Sequence, residues 1–328
     1  MAELLEKHPP DYALLNELAP TAEDLFNRHD KASKYWEPAL YIPYDYAKSF
    51  KPDYQWSPDE FPLELGVRRA LHVNLLTEDN LTYYSKEIDA FAGTEGIWGK
   101  WSRRWTYEEY RHSRVIRGFL EVSRAIDVRE LEAAVKPQMI KAEVPNPPTT
   151  ADGLVYVTLQ ELATRVSHLN TGKRIAEAYQ DSTDTDKKAL AEAGRTALTK
   201  VSSDENFHYL FYRDLSRKGF KIDPSKFVIA AAHQIIGFKM PGTGISTFKE
   251  DSKLIAAADI YNTEIHLTKV LEPAAFSKTG WDLEHVSGLN AEAEQARDLI
   301  FHKVGIMKKA IERAKQKRAA KTELDRTL

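Results

Sequence analysis

Glu109 and His112 stand in Trp-Thr-Tyr-Glu-Glu-Tyr-Arg-His (residues 105–112), and Glu205 and His208 in Ser-Asp-Glu-Asn-Phe-His (residues 203–208). Each pair sets a Glu three residues before a His. On a helix that spacing makes the two side chains surface neighbours that point the same way. A carboxylate oxygen beside an imidazole nitrogen is a ligand set suited to iron or manganese, and less so to calcium. Each helix supplies half a site, so the two halves ask to be brought together.

Di-iron and di-manganese carboxylate bundles are built in this way, with Glu-x-x-His on two helices and a lone Glu on each of two others. Two lone acids answer that description. Glu78 falls among Leu71, Leu75, Leu81, Ile88 and Phe91, and Glu161 shares a face with Leu154, Val157, Thr158, Thr164 and His168. An acid inside an apolar stripe must be paired or bound to metal, or it goes neutral.

The elements that would position these residues read as helices throughout. Apolar periodicity predicts helices over 65–91, 99–126, 152–179 and 188–217, the last two forming an antiparallel return around the solvated loop 180–187. Residues 12–35 read as a further helix with a break or start at Pro20, and 36–62, rich in proline and aromatics, as an extended wrap. Residues 127–149 read as a polar connector closed by the proline run 145–148. Beyond Ile222, helices are predicted over 224–238, 252–271 and 290–321, with a Pro/Gly loop at 239–247. The fold expected is all-α: a ferritin-like four-helix bundle with a di-iron centre plus flanking helices. The whole chain, 1–328, reads as one domain, with its core at about 65–219, an N-terminal wrap at 1–64 and C-terminal helices at 224–321.

Composition narrows the function. With 42% hydrophobic residues among 328, the chain can bury a large core. A net charge of −3 argues against general nucleic-acid binding, which needs a basic excess. The absence of cysteine removes disulfides, cysteine-bound zinc and cysteine-bound iron–sulfur clusters. Residues 1–11 carry Glu3, Glu6, Lys7 and His8 and lack the apolar stretch of a targeting signal. The longest apolar run, near 227–232, is far short of the ~20 residues that span a bilayer. A cytoplasmic protein without a membrane span is expected.

Taken together, four motifs in order resemble the soluble acyl-acyl-carrier-protein desaturases, the plant stearoyl-type enzymes and their actinobacterial relatives. They are Thr-Glu-Asp-Asn-Leu (77–81), Trp-Thr-Tyr-Glu-Glu-Tyr-Arg-His (105–112), Gln-Glu-Leu-Ala-Thr (160–164) followed by Ser-His-Leu-Asn-Thr-Gly, and Ser-Asp-Glu-Asn-Phe-His (203–208). The resemblance covers most of the chain. It implies Glu78, Glu109, His112, Glu161, Glu205 and His208 as ligands of two irons, and Thr164 as a residue beside the oxygen site. It also implies that Trp56, Trp105 and Asp204 serve electron delivery. The implied substrate is an acyl chain carried by a small acidic carrier protein, with electrons from a donor such as ferredoxin, in a homodimer. Arg68, Arg69, Lys48, Lys51 and the basic C-terminal helix are candidates to steer the carrier. Tyr110, Asn206, Phe207 and Thr82 depart from the family pattern without removing a ligand. Two other readings of the same metal site stand beside this one: a non-enzymatic ferritin-like storage protein, and a ribonucleotide-reductase-like radical generator using Tyr212 or Tyr110. Removing hydrogens from an unactivated methylene chain is beyond any side chain, so a metal cofactor that activates oxygen is required for the desaturase reading.

Overall fold

A computed structural model describes residues 9–141 and 144–327; the side chains of Lys141, Arg318 and residues 321–327 lie outside what is described. Glu3, Glu6, Lys7 and His8, on which the targeting reading turned, also lie outside the described residues. Among the described residues there is no strand. Helix α1 (Tyr12–Ala32) is followed by an irregular wrap with two short 3-10 turns. Then come α2 (Leu65–Glu78), α3 (Leu81–Ala92), α4 (Gly96–Ser123), α5 (Val128–Lys141), α6 (Thr150–Ala178), α7 (Thr185–Ile222), α8 (Pro224–Ile236) and α9 (Phe248–Ala257). The short α10 (Thr263–Ile265) runs into a π-helical segment, His266–Phe276, and α11 (Ala291–Thr327) ends the described chain. No described helix is long and apolar enough to cross a membrane.

The long helices carry the core. Asp184 caps α7 by accepting from the amides of Asp186 and Lys187, so α6 and α7 pack as an antiparallel hairpin on which α2 and α4 rest. Apolar side chains form two groups, and a polar belt lies between them. On α4, Trp105 belongs to one group and Val115 and Ile116 to the other, with Glu109 and His112 between. On α7 the order is reversed: Leu198 and Val201, then Glu205 and His208, then Phe211 and Tyr212. Helix α1 keeps Pro20 exposed and buries Leu14, Leu15, Leu18 and Leu25. It packs on α4 and α7 and carries His29 to the edge of the belt.

Three expected elements differ. The helix predicted over 65–91 breaks at Asp79–Asn80, directly after Glu78. Asp79 is drawn to Ser113 and Arg117 of α4, and buried Asn80 bonds Gln138 of α5 at 3.2 Å, so these contacts override the continuous apolar period. The polar connector at 127–149 holds α5, capped where Asp127 accepts from the amide of Arg129 at 2.9 Å. The signal was present in the sequence: Asp127 with Glu130 three places on is a helix-start pattern. The helix expected over 252–271 is two pieces, because the chain leaves α9 through Asp259 in the left-handed region (φ 51°) before the π-helical segment begins.

Candidate metal centre

The two Glu-x-x-His pairs and the two lone acids Glu78 and Glu161 come together inside the bundle, all of them buried. Their donor atoms form two overlapping quartets, each with its atoms within 4.8 Å of one another: Glu78, Glu109, His112 and Glu205, and Glu109, Glu161, Glu205 and His208. Glu109 and Glu205 belong to both. Each quartet could hold one cation, with Glu109 and Glu205 common to both and one further Glu and one His belonging to each. His112 Nδ1 lies 3.3 Å from Glu109, 3.7 Å from Glu78 and 3.9 Å from Glu205. His208 Nδ1 lies 3.0 Å from Glu109, 3.4 Å from Glu161 and 3.8 Å from Glu205.

The atoms facing the middle of this cluster fit a metal. Glu109 Oε1, Glu161 Oε2, Glu205 Oε2 and the Nδ1 atoms of His112 and His208 are buried and make no hydrogen bond of acceptable geometry. A buried polar atom left so costs about 1–3 kcal/mol, which coordination would recover. The charges agree. Burial, and then the facing Glu109 and Glu161, push Glu205 well above the usual carboxyl range. Burial opposes a charge on His112, but Glu109, Asp204 and Glu78 together outweigh it and raise the imidazole well above its ordinary value; Glu161, Glu108 and Glu109 together do the same for His208. Protons therefore collect where cations belong. Four carboxylates and two neutral imidazoles carry −4, which two divalent ions balance.

The outer nitrogens are held by a crossed arrangement. Asp204, next to Glu205 on α7, lies 3.3 Å from Nε2 of His112 on α4. Glu108, next to Glu109 on α4, lies 2.9 Å from Nε2 of His208 on α7. Such carboxylate partners orient an imidazole for a metal. Glu108 also accepts from Ser33 and Arg104 and meets His29 at 2.9 Å; His208 and His29, against the cost of burial, hold its carboxyl far below the usual range. Sequence reasoning missed Glu108. The signal was a longer repeat than the one used, acid-Glu-x-x-His in both motifs.

Trp105 Nε1 donates to Glu161 at 3.0 Å, so it holds a carboxylate of the cluster directly. Trp56 is elsewhere: its indole donates to the carbonyl of Arg124, at the far end of α4 from His112. Trp36, which the sequence did not single out, donates to Asp204 at 2.8 Å beside Arg111, which bonds the same oxygen at 2.9 Å. The loose pattern of the proline-rich wrap, with Trp36 and Trp56 both in it, concealed the difference.

Comparison with known proteins agrees with this geometry. The family described as fatty acid desaturase matches residues 11–327. A Mycobacterium tuberculosis protein carrying the name acyl-(acyl-carrier-protein) desaturase DesA1 is 33% identical over 324 residues, covering 94% of this chain and 90% of its own. The chain belongs to the fatty acid desaturase family. The palmitoyl-(acyl-carrier-protein) 4-desaturase 3 of Ophrys sphegodes is 28% identical, covering 86% of this chain and 71% of its own. The stearoyl-(acyl-carrier-protein) 9-desaturase of Gossypium hirsutum is 25% identical, covering 96% and 80%. The X-ray structure of the M. tuberculosis protein DesA2 shares the fold, with a TM-score of 0.62 at 20% identity over 87% of this chain and 99% of that one.

Beside the cluster this desaturase has a cavity of about 670 Å³, within the range of small-molecule sites. Asn74, Thr77, Thr164 and Ser167 line it from α2 and α6, and Lys303 and Lys315 of α11 line it too. Thr164 is the cavity neighbour of Glu161 on α6, and its hydroxyl donates to the carbonyls of Gln160 and Glu161, both at 3.1 Å. Arg68 and Arg69 are turned to internal partners: Arg68 bonds the carbonyl of Pro58 and lies over the Trp56 ring, and Arg69 pairs with Glu130 and Asp251. Lys48 and Lys51 are exposed in the wrap, away from the cavity lining. Of the residues that depart from the family pattern, Tyr110 and Thr82 are exposed, and Asn206 and Phe207 are half-buried; none enters either quartet.

Proposed function

We propose that this protein is an acyl-carrier-protein desaturase that introduces a double bond into a carrier-bound acyl chain at a di-iron centre. The observation that carries the reading is the pair of quartets sharing Glu109 and Glu205, with the cavity beside them reaching Thr164. The reaction is CH₂–CH₂ + O₂ + 2 e⁻ + 2 H⁺ → CH=CH + 2 H₂O, so an external donor such as ferredoxin must supply two electrons. Bound iron would supply the oxygen activation that no side chain can. Glu78, Glu109, His112, Glu161, Glu205 and His208 would hold it, with Glu109 and Glu205 available to both positions. The chain's own groups then do the rest. Asp204 and Glu108 fix the two imidazoles, Trp105 fixes Glu161, and the apolar cavity wall keeps water from the reacting carbons.

The test is metal analysis followed by product analysis. Protein supplied with reduced ferredoxin and acyl-carrier substrate is expected to hold two irons per chain and to release a mono-unsaturated acyl group. Its rate on carrier-bound acyl groups should exceed that on free acids and fall with added salt, because the screening length drops from ~10 Å at 0.1 M to ~3 Å at 1 M. Equal rates on both substrates without salt dependence would discard the carrier. Two irons without any unsaturated product would favour a storage protein. A stable tyrosyl signal in the oxidised protein would favour the radical generator, for which buried Tyr212, accepting from Trp101 Nε1 at 2.9 Å, is better placed than exposed Tyr110.

Thr164→Val removes the one hydroxyl on α6 that lies a turn from Glu161 in the cavity wall. Iron is expected to stay bound while desaturation slows or oxygen use uncouples from product. Unchanged turnover and coupling would take Thr164 out of the mechanism. We further propose one domain, a cytoplasmic location and a homodimer; light scattering at working concentration is expected to give twice the chain mass, and a monomer would refute the assembly.

A further inference from the structure

Each quartet has one carboxylate that it does not share, Glu161 in one and Glu78 in the other. Glu161 projects from the interior of the 29-residue helix α6 and is held by the Trp105 indole. Glu78 is placed differently. It is the last residue of α2, at the point where the helix breaks, so its backbone lacks the continuous turns on both sides that fix Glu109, Glu161 and Glu205. Something else must hold it.

His168 is in position to do so. It lies on α6, one turn past Thr164, and is 1% exposed. Its Nε2 is 2.9 Å from Glu78 Oε1 and 3.6 Å from Glu205 Oε1, so a single ring nitrogen faces both the unshared and one shared carboxylate of the same quartet. A carboxylate only accepts, so the imidazole N–H donates. Its Nδ1 is buried and makes no hydrogen bond, so no second bond competes for the ring's orientation. His168 itself is in neither quartet. The two unshared acids thus each receive one N–H from outside the ligand set, indole in one half and imidazole in the other.

We propose that His168 is a positioning residue that holds Glu78 at the end of α2, and so sets the metal affinity of the Glu78/His112 half of the centre more strongly than that of the other half. The proposal rests on the metal reading above. Loss of such an outer partner costs about 10–100-fold in metal affinity. Because Glu78 is the acid with the least support from its own helix, the loss should fall near the upper end and mainly on one ion.

The test uses the metal-free full chain titrated with Co(II), read by visible absorption, with no reliance on turnover. The wild type is expected to take up two ions. His168→Leu is expected to weaken one binding step by ~10–100-fold and the other by clearly less. His168→Gln, whose amide N–H can stand where Nε2 stands, should restore most of the loss. Trp105→Phe should weaken one step as well, and the double variant should show both steps weakened rather than one step weakened twice. If His168→Leu fails to fold, His168→Met, of similar length and without an N–H, replaces it in the comparison with Gln. Wild-type affinity for both ions in the Leu or Met variant, or an equal loss in the Gln variant, overturns the proposal. A wild type that does not bind two ions refutes instead the metal reading on which it rests.

Discussion

Replacement of both His112 and His208 by Ala is expected to abolish tight iron binding and, with it, desaturation. Each quartet contains one nitrogen, and the double change removes both. What remains is four buried carboxylates, a set that repels itself and is driven to take up protons rather than metal. Loss of an outer partner alone costs about 10–100-fold in affinity, so loss of the ligand itself should exceed that at each ion position. Asp204 and Glu108 would also lose the imidazoles they face at 3.3 and 2.9 Å. Helicity is therefore measured alongside iron per chain. Near-normal iron in a folded double variant would refute the ligand assignment.

A second large effect is expected from Ala256→Trp. Ala256 lines the cavity from α9 and belongs to neither quartet. An indole there takes space from the acyl chain without touching a ligand. Forcing groups into filled space costs ~1–3 kcal/mol, and every ~1.4 kcal/mol is tenfold. The catalytic efficiency on long acyl chains should fall by ~10–100-fold while iron per chain stays at the wild-type value. Short chains should suffer less. An unchanged rate on long chains would show that the substrate lies elsewhere.

The cluster was legible in the sequence because both of its histidines and three of its four acids sit within long helices. A three-residue spacing on a helix has one geometrical meaning, and Glu78 and Glu161 stood out as acids in apolar stripes. What the sequence obscured was everything decided by contacts between helices. The break after Glu78 depends on contacts with Ser113, Arg117 and Gln138, which are 34 to 58 residues from their partners. Trp36 rather than Trp56 meets Asp204 because of how the wrap is laid over α4, and a proline-rich segment has no period from which to read that. Helix α5 escaped because Pro137 and its charges resemble a connector, although Asp127 marks its start. Glu108 escaped because its work is done for a histidine on the other motif, 100 residues on.

That crossing has a genetic consequence. The acid beside each shared Glu serves the histidine of the opposite helix, Asp204 for His112 and Glu108 for His208. A change at Asp204 is therefore felt first on α4, and a change at Glu108 on α7. Neither motif can be transplanted or allowed to drift alone, since each holds half of the other's function. Suppressors of a weakened Asp204 should map to the neighbourhood of His112, including Arg111 and Trp36, and not to the rest of α7. The two short motifs are separate in the chain but work as a single unit in the fold.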